Sequence, residues 1–430
     1  QLNIGRRFRF PDDFFRGDVG TAHELLYQEL EREKNDQDVL RLEQAMVCLA
    51  DGDPQQAERL LRAVRDRFDH LEEKSAGEQA LAMLTDDQSL AYSGEDYEKV
   101  LIRAMLAVTN LLTGGDDALA YTLQIQQKQQ QIVEGGLGAD GENPKLSYKQ
   151  VAFGPYLQGV LAEQTHRDYD VAARSYFQVA SWQPEFAAAR ADVQRAQYGR
   201  HSAPGHGVLY VFALVGRGPY KEEKAEIAST VSLLLAEHIL RAAGMKKMPP
   251  SITPVMVPKL VLPPCRVENV QVSVAAQAVG HTETVADIGQ MAVDQYEAIY
   301  PSIIARAVAR RILKKAAVYS AKEAIDNPLA GIALDVGGIV WDATAAADTR
   351  CWGLLPAKIQ VLRLELPVGS HRISLRTNHG GVASGVGETA TVTIADGQNT
   401  YLLANFPEDR LVGRLVTSRA EPAPLIDRVQ

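Results

Sequence analysis

Residues 42–72 read LEQAMVCLADGDPQQAERLLRAVRDRFDHLE, and this stretch decides how the first half of the chain is read. An apolar helical pattern runs to Ala50 and breaks at Asp51-Gly52-Asp53-Pro54. A second pattern follows, carrying Ala57, Leu60, Leu61, Val64 and Phe68. Apolar residues three and four apart line one face of a helix, while Gly ends one helix and Pro opens the next. The stretch therefore predicts two antiparallel helices. Two more units of this kind follow, over Tyr97–Ile132 with a break at Thr113-Gly114-Gly115-Asp116, and over Pro155–Phe186 with a break at Arg167-Asp168-Tyr169. After each break stands alanine (Ala57, Ala118, and Ala172 with Ala173), small enough for paired helices to approach closely. Ser93 with Asp96 three residues on predicts a capped start for the second unit.

Around this helical half, composition sets the bounds. A chain of 430 residues exceeds what one core usually serves, so two or three domains are expected. With 46% hydrophobic and 23% charged residues it folds rather than staying disordered. A formal charge of −9 argues against phosphate-backbone affinity, so nucleic acid is not an expected partner. Cys48, Cys265 and Cys351 are too scattered for a disulfide framework, and Cys265 and Cys351 could pair only if the fold joins them. The longest weakly polar stretch, Pro328–Ala347, is interrupted by Asp335 and Asp342 and does not read as a membrane span.

After His201-Ser-Ala-Pro-Gly-His206 the composition shifts. GVLYVFALV, residues 207–215, is aromatic, β-branched and bounded by glycine, the pattern of a strand buried on both faces. Residues 222–243 then read as helix, 252–261 and 267–275 as extended, and 285–319 as a long helix containing Pro301. IQVLRLEL, HRISLRT, ATVTIA and TYLLANF alternate between turns and predict a small antiparallel β module. The expected division is a helical domain over 14–200, a mixed α/β domain over 207–357 with a long helix at 286–319, a β module over 358–407 packed on it, and a tail over 408–430.

The sequence assigns no catalytic residue, metal ligand or cofactor. It holds no G-x-S-x-G, no HExxH and no cysteine patterned with a base. His201 and His206 sit in a Pro/Gly linker without accompanying carboxylates or thiols, which favours a surface loop over a metal site. Residues 303–318 form a cationic amphipathic pattern, with Arg306, Arg310 and Lys314 four apart beside Arg311. Such a helix can lie on an anionic membrane or in an acidic groove, or simply pack on a core with its basic face solvated.

RDYDVAARSYFQVASWQPEF, residues 167–186, resembles a tetratricopeptide repeat at Tyr169, the alanines, Tyr176 and the closing proline. That resemblance implies a helical solenoid whose concave surface holds another protein, with Tyr97, Tyr169 and Tyr176 as candidate interaction residues. ADTRCWGLLP at 347–356, followed by IQVLRLELPVGSHRISL, is similar to a bacterial envelope family. In that family a tetratricopeptide-like domain precedes an α/β domain with an ADTR-x-W-x-x-LP segment. YSGEDYE at 92–98 and the segment Val211–Lys221 share the likeness. The resemblance implies an envelope, periplasmic location, membrane attachment through a segment before residue 1, and another envelope protein as partner; it supplies no catalytic residues. Within the motif, Asp348 and Arg350 are expected to pair and pin the turn, and Trp352 with Leu355 to seat the strand that starts near Pro356.

The expected fold is thus a tetratricopeptide-like helical solenoid followed by a mixed α/β domain ending in an antiparallel β module. The expected function is that of a non-enzymatic interaction or scaffold protein of the bacterial cell envelope, using the helical surface. The alternatives are an envelope hydrolase with its site between the domains, and a peripheral membrane protein using the basic helix, Arg306, Arg310, Arg311 and Lys314. Oligomeric state stays open.

Overall fold

The 207–215 run is the strand on which both halves of the molecule meet. In the computed structural model, which describes residues 10–33, 36–82, 92–136, 141–245, 254–323 and 347–418, it forms the middle of β1 (His206–Arg217). Val208, Tyr210, Phe212 and Leu214 enter the core shared with the helices, while Leu209, Val211, Ala213 and Val215 enter a second core on the other side. Burial on both faces is why the run does not alternate.

β1 pairs in parallel with β10 (Asn399–Phe406) and antiparallel with β7 (Pro356–Pro367). With β6 (Glu283–Asp287) and β11 (Val416–Thr417) they make a five-stranded sheet ordered β11-β10-β1-β7-β6. A second sheet, ordered β5-β4-β8-β9, stacks on it through Val270, Val272, Ile373, Leu375, Val392 and Ile394. Its strands are β4 (Asn269–Val274), β5 (Gln277–His281), β8 (Gly369–His379) and β9 (Val382–Ile394).

Residues 358–407 therefore do not stand apart as an antiparallel module. β7 and β10 complete the sheet around β1, β10 running parallel to it, and only β8 and β9 form a hairpin on the second sheet. Each strand has the predicted alternation, but alternation says which face is buried and not which strand is the neighbour.

The first half is helical, as read: α1 (Phe10–Phe15), α2 (Val19–Arg32), α3 (Gln37–Asp51), α4 (Pro54–Ala82), α5 (Asp96–Thr113), α6 (Ala118–Glu134), α7 (Phe153–Gln164), α8 (Tyr169–Trp182) and α9 (Ala188–Gln197). Each packs on its successor in the chain. The breaks work as their residues suggest. Gly52 and Gly114 close α3 and α5 in the left-handed conformation, at φ 88° and 71°, where a side chain would be strained. Asp53 accepts the Gln56 N–H at 2.9 Å to open α4. The cap of α5 is not the expected Ser93–Asp96 pair: Glu95 is the N-cap and Glu98 the reciprocal partner, two residues later.

Residues 222–243 are not one helix. β2 (Tyr220–Glu226) pairs antiparallel with β3 (Val255–Val261), and α10 (Thr230–Ala242) begins after it. KEEK has good helix propensity, and strand pairing to β3 overrides it. α11 (Ile288–Glu323) continues through Pro301; Ile288 and Ala292 seat in the main core, and Ile304, Ala305, Val308, Ala309 and Ile312 build a satellite core with α10 and β3. No helix among the described residues is long and apolar enough to cross a membrane. Most of Pro328–Ala347 and most of the 408–430 tail lie outside the described residues.

Phe212 ties the layers together, edge-on to Phe153 of α7 with centroids 5.8 Å apart and stacked on Tyr401 of β10 at 6.1 Å. Phe212→Ala is expected to lower unfolding stability by about 3–5 kcal/mol, read by urea denaturation. A loss below about 1 kcal/mol, the size of an ordinary surface change, would show that this junction is not a shared core.

Candidate functional site: a charged groove on the helical layer

The ADTR-x-W-x-x-LP segment proves to be a strap across the helical layer. Arg350 grips Asp348 with two nitrogens at 2.9 and 2.8 Å, reaches Asp36 before α3 at 3.4 Å, and stacks over the Tyr92 ring at 5.4 Å. Trp352 is fully buried, and Pro356 starts β7. Asp348 and Arg350 are thus in contact, and Trp352 and Leu355 are buried.

Two helix carboxylates that the sequence reading passed over hold the strap's backbone. Glu98 of α5 accepts the Trp352 N–H at 2.7 Å, and Glu43 of α3 accepts those of Gly353 and Leu354 at 2.7 and 2.9 Å. Glu98 also accepts from the Tyr92 hydroxyl and from the Glu95 N–H at 3.0 Å, while Lys221 of β2 pairs with Glu95. Burial pushes the Glu43 carboxyl up to about 8 despite its two amide donors, and burial followed by neighbouring Glu95 raises that of Glu98. Cys351 beside them is pushed up to about 12 by burial, so its sulfur stays a thiol and not a nucleophile. This cluster is a seat, closed by the strap it holds.

The sequence-predicted tyrosines separate. Tyr97 and Tyr176 are 3% and 0% exposed and belong to the core, Tyr176 donating to Glu163 at 3.0 Å, so neither faces a partner. Amphipathic spacing finds core tyrosines as readily as groove tyrosines. Tyr169, at the start of α8, is half-buried. On α11, Arg306 is exposed; Arg310, Arg311 and Lys314 are half-buried, and Arg311 donates to the Pro254 carbonyl at 2.6 Å. All three cysteines are free thiols.

His201 shows the nearest approach to a hydrolase constellation. Its Nδ1 lies 3.2 Å from Ser202 Oγ and its Nε2 2.8 Å from Asn399 Oδ1. The Ser202 hydroxyl, however, donates to the His206 carbonyl at 3.0 Å, and burial lowers the imidazole's proton affinity. The proton a base would take is already committed, and no carboxylate orients the ring. His201 and His206 share no metal site: among the described residues no group of His, Cys, Asp or Glu is arranged to hold an ion.

The open feature of the helical layer lies on its far side, away from the sheet. α5 is apolar on most faces but carries Lys99 and Arg103 one turn apart, pointing between α4 and α6. Arg103 takes Asp69 of α4 at 2.7 and 2.6 Å, Lys99 takes Glu72 at 2.8 Å, and Lys128 of α6 reaches Asp69 at 3.0 Å and also Glu72. Burial works to raise Asp69 and Glu72, but the facing cations outweigh it and hold both below the usual carboxylate range. Burial likewise opposes the charge on Lys99, and Asp96 with Glu72 restores it. These are fixed charges that build a floor, not an acid and base poised to exchange protons.

Above that floor runs a groove of about 520 Å³, open among the described residues. Its α4 wall presents Asp66, Glu73 and Arg65, the last paired with Asp66 at 2.8 Å and donating to Gln124 at 3.3 Å, and its α6 wall presents the amides of Gln124, Gln127 and Gln131. Side-chain amides donate and accept at once, which suits them to a peptide backbone. No family model, curated protein or solved structure matches the chain.

The strap supplies a pH prediction. Glu43 binds its proton more tightly folded than unfolded, so its contribution is complete below the ordinary carboxylate range, near 4.5, and is lost as pH rises through about 8. Thermal midpoints measured across that window should fall for the wild type and flatten for Glu43→Gln. An unchanged slope in the variant would remove Glu43 as the titrating group.

Proposed function

We propose that the protein is a non-enzymatic scaffold of the bacterial cell envelope that holds an extended segment of a partner protein in the α4–α5–α6 groove. The observation that carries this reading is the groove's construction: a pre-paired ionic floor, one carboxylate rim and one amide rim. Buried ion pairs are costly to assemble, so a rigid polar floor fits a surface that recognises shape and charge rather than one that only stabilises the fold. The packing of each helix on its successor in the chain supports it, with one change from the expected face. The side expected to be concave is filled by Phe153, Tyr156 and Leu157 packing toward β1, so binding belongs to the opposite side. Asp66 and Glu73 outnumber Arg65 on the α4 rim, which favours a basic segment. Envelope location rests on the likeness of the strap and of YSGEDYE to the envelope family.

A photo-crosslinking residue at Gln127 in cells should yield a discrete adduct that disappears when Asp66→Lys and Glu73→Lys are combined. The same residue at Tyr198, 87% exposed on the far end of α9, serves as the control. Equal adducts at both positions, or none at Gln127, would overturn the reading.

Attachment to a membrane surface is a second reading, favoured by one observation. Ile227, Val231 and Leu234, around the start of α10, are 65%, 56% and 63% exposed at helical spacing, on the satellite unit that also carries Arg306. Flotation with anionic vesicles should then be lost when Leu234→Asp and Arg306→Glu are combined, and no flotation of the parent protein would exclude it.

A further inference from the structure

Among the described residues six strands, β2, β3, β5, β6, β9 and β11, lie at sheet edges, and all of these but β9 are blunted along their length. β11 has two residues, while β5 and β6 have five each, with register shifts in their pairings. The strands of the two-stranded sheet are guarded by charge and proline, Lys221 to Lys224 on β2 and Pro258-Lys259 on β3. These are the devices by which folded proteins stop an edge from recruiting another strand. β9 is irregular only near residues 385–387, where its pairing with β8 shifts register; from Thr389 to Ile394 it pairs regularly and reads TATVTI, without a charge or a proline.

The backbone groups on that edge can be identified. In an antiparallel ladder the N–H and C=O of one residue point to the same neighbour, and successive residues alternate sides. Ala275 donates to the Arg372 carbonyl at 3.1 Å, so Arg372 of β8 turns toward β4. Arg372 lies opposite Thr391, and Ser374 opposite Thr389. Thr389 and Thr391 therefore turn away from β8. Thr393 confirms the parity, since its carbonyl accepts from the Thr400 hydroxyl at 3.1 Å, outside the β8–β9 ladder. Among the described residues nothing meets the N–H and C=O of Thr389 and Thr391. The strand is well seated behind them, with Val392 and Ile394 buried and the threonine side chains on the solvent face.

We infer that β9 pairs with β9 of a second copy of this chain, antiparallel about a twofold axis beside Ala390, joining the two outer sheets into one. Thr389 then faces Thr391 of the second copy and the reverse, closing four backbone hydrogen bonds. Glu388 meets Val392 of the second copy, so no like charges oppose one another. Uncharged Thr-Ala-Thr read in both directions is self-complementary, which a twofold contact requires. This pairing leaves the α4–α5–α6 groove, on the opposite layer, untouched.

Sedimentation of the full chain should show a mass rising from one copy toward two with concentration. Thr391→Pro removes an outward N–H without touching the β8–β9 ladder, so it should abolish the dimer while leaving circular dichroism and groove crosslinking at Gln127 unchanged. Hydrogen exchange gives an independent reading in the unmodified protein: the Thr389 and Thr391 amides should exchange fast when dilute and become protected when concentrated. A wild type monomeric at all concentrations, a dimer that survives Thr391→Pro in a folded protein, or amides whose exchange ignores concentration would each overturn the inference.

Discussion

The two-sided burial of β1 is the constraint that the rest of the structure obeys. A strand with Val208, Tyr210, Phe212 and Leu214 on one face and Leu209, Val211, Ala213 and Val215 on the other must be covered by two separate layers. The helices supply one, the β4–β5–β8–β9 sheet the other. The helices do not stand as a free array; they lend one face to the sheet. That commits Tyr97 and Tyr176 to the interior and, among the described residues, leaves the α4–α5–α6 groove open on the opposite face.

The polar contacts follow from the same constraint. Where the strap crosses α3 and α5, backbone N–H groups are shut away from water, and leaving them unsatisfied would cost about 1–3 kcal/mol each. Glu43 and Glu98 meet that need, and the price is a pair of carboxyls whose proton affinity is raised by burial. In the groove the balance differs. There, cations face the carboxylates directly, and Asp69 and Glu72 keep their charge. Two acidic clusters on one helical layer thus behave oppositely, and the deciding variable is whether the facing group is a neutral amide or a cation.

Much of this was legible. Helix breaks at Gly52-Asp53-Pro54 and Gly114, the two-faced strand at 207–215, the four alternating runs after 359 and the Asp348–Arg350 pair all stand in local patterns, because caps, turns and periodicity act over a few residues. What escaped depends on distant partners. Nothing in TYLLANF says that it will lie parallel to GVLYVFALV, and nothing in KEEK says that β3 will recruit it. The sequence reading did not single out Glu43. Its setting inside VLRLEQAMVCLA, with apolar neighbours on nearly every side, was the available signal. The groove was the hardest to see, since Lys99, Arg103 and Lys128 are ordinary helical cations until α4 brings Asp69 and Glu72 against them.

The parallel placement of β10 beside β1 has a consequence for how the chain is made. The layer that covers the helices cannot close until residue 406 has emerged, long after α1 to α9 are complete. During synthesis those helices must wait with Phe153 and Tyr156 uncovered, at the stage when exposed apolar surface is most prone to aggregate. A chaperone that shielded this temporarily bare helical face would cover apolar surface that the finished fold buries.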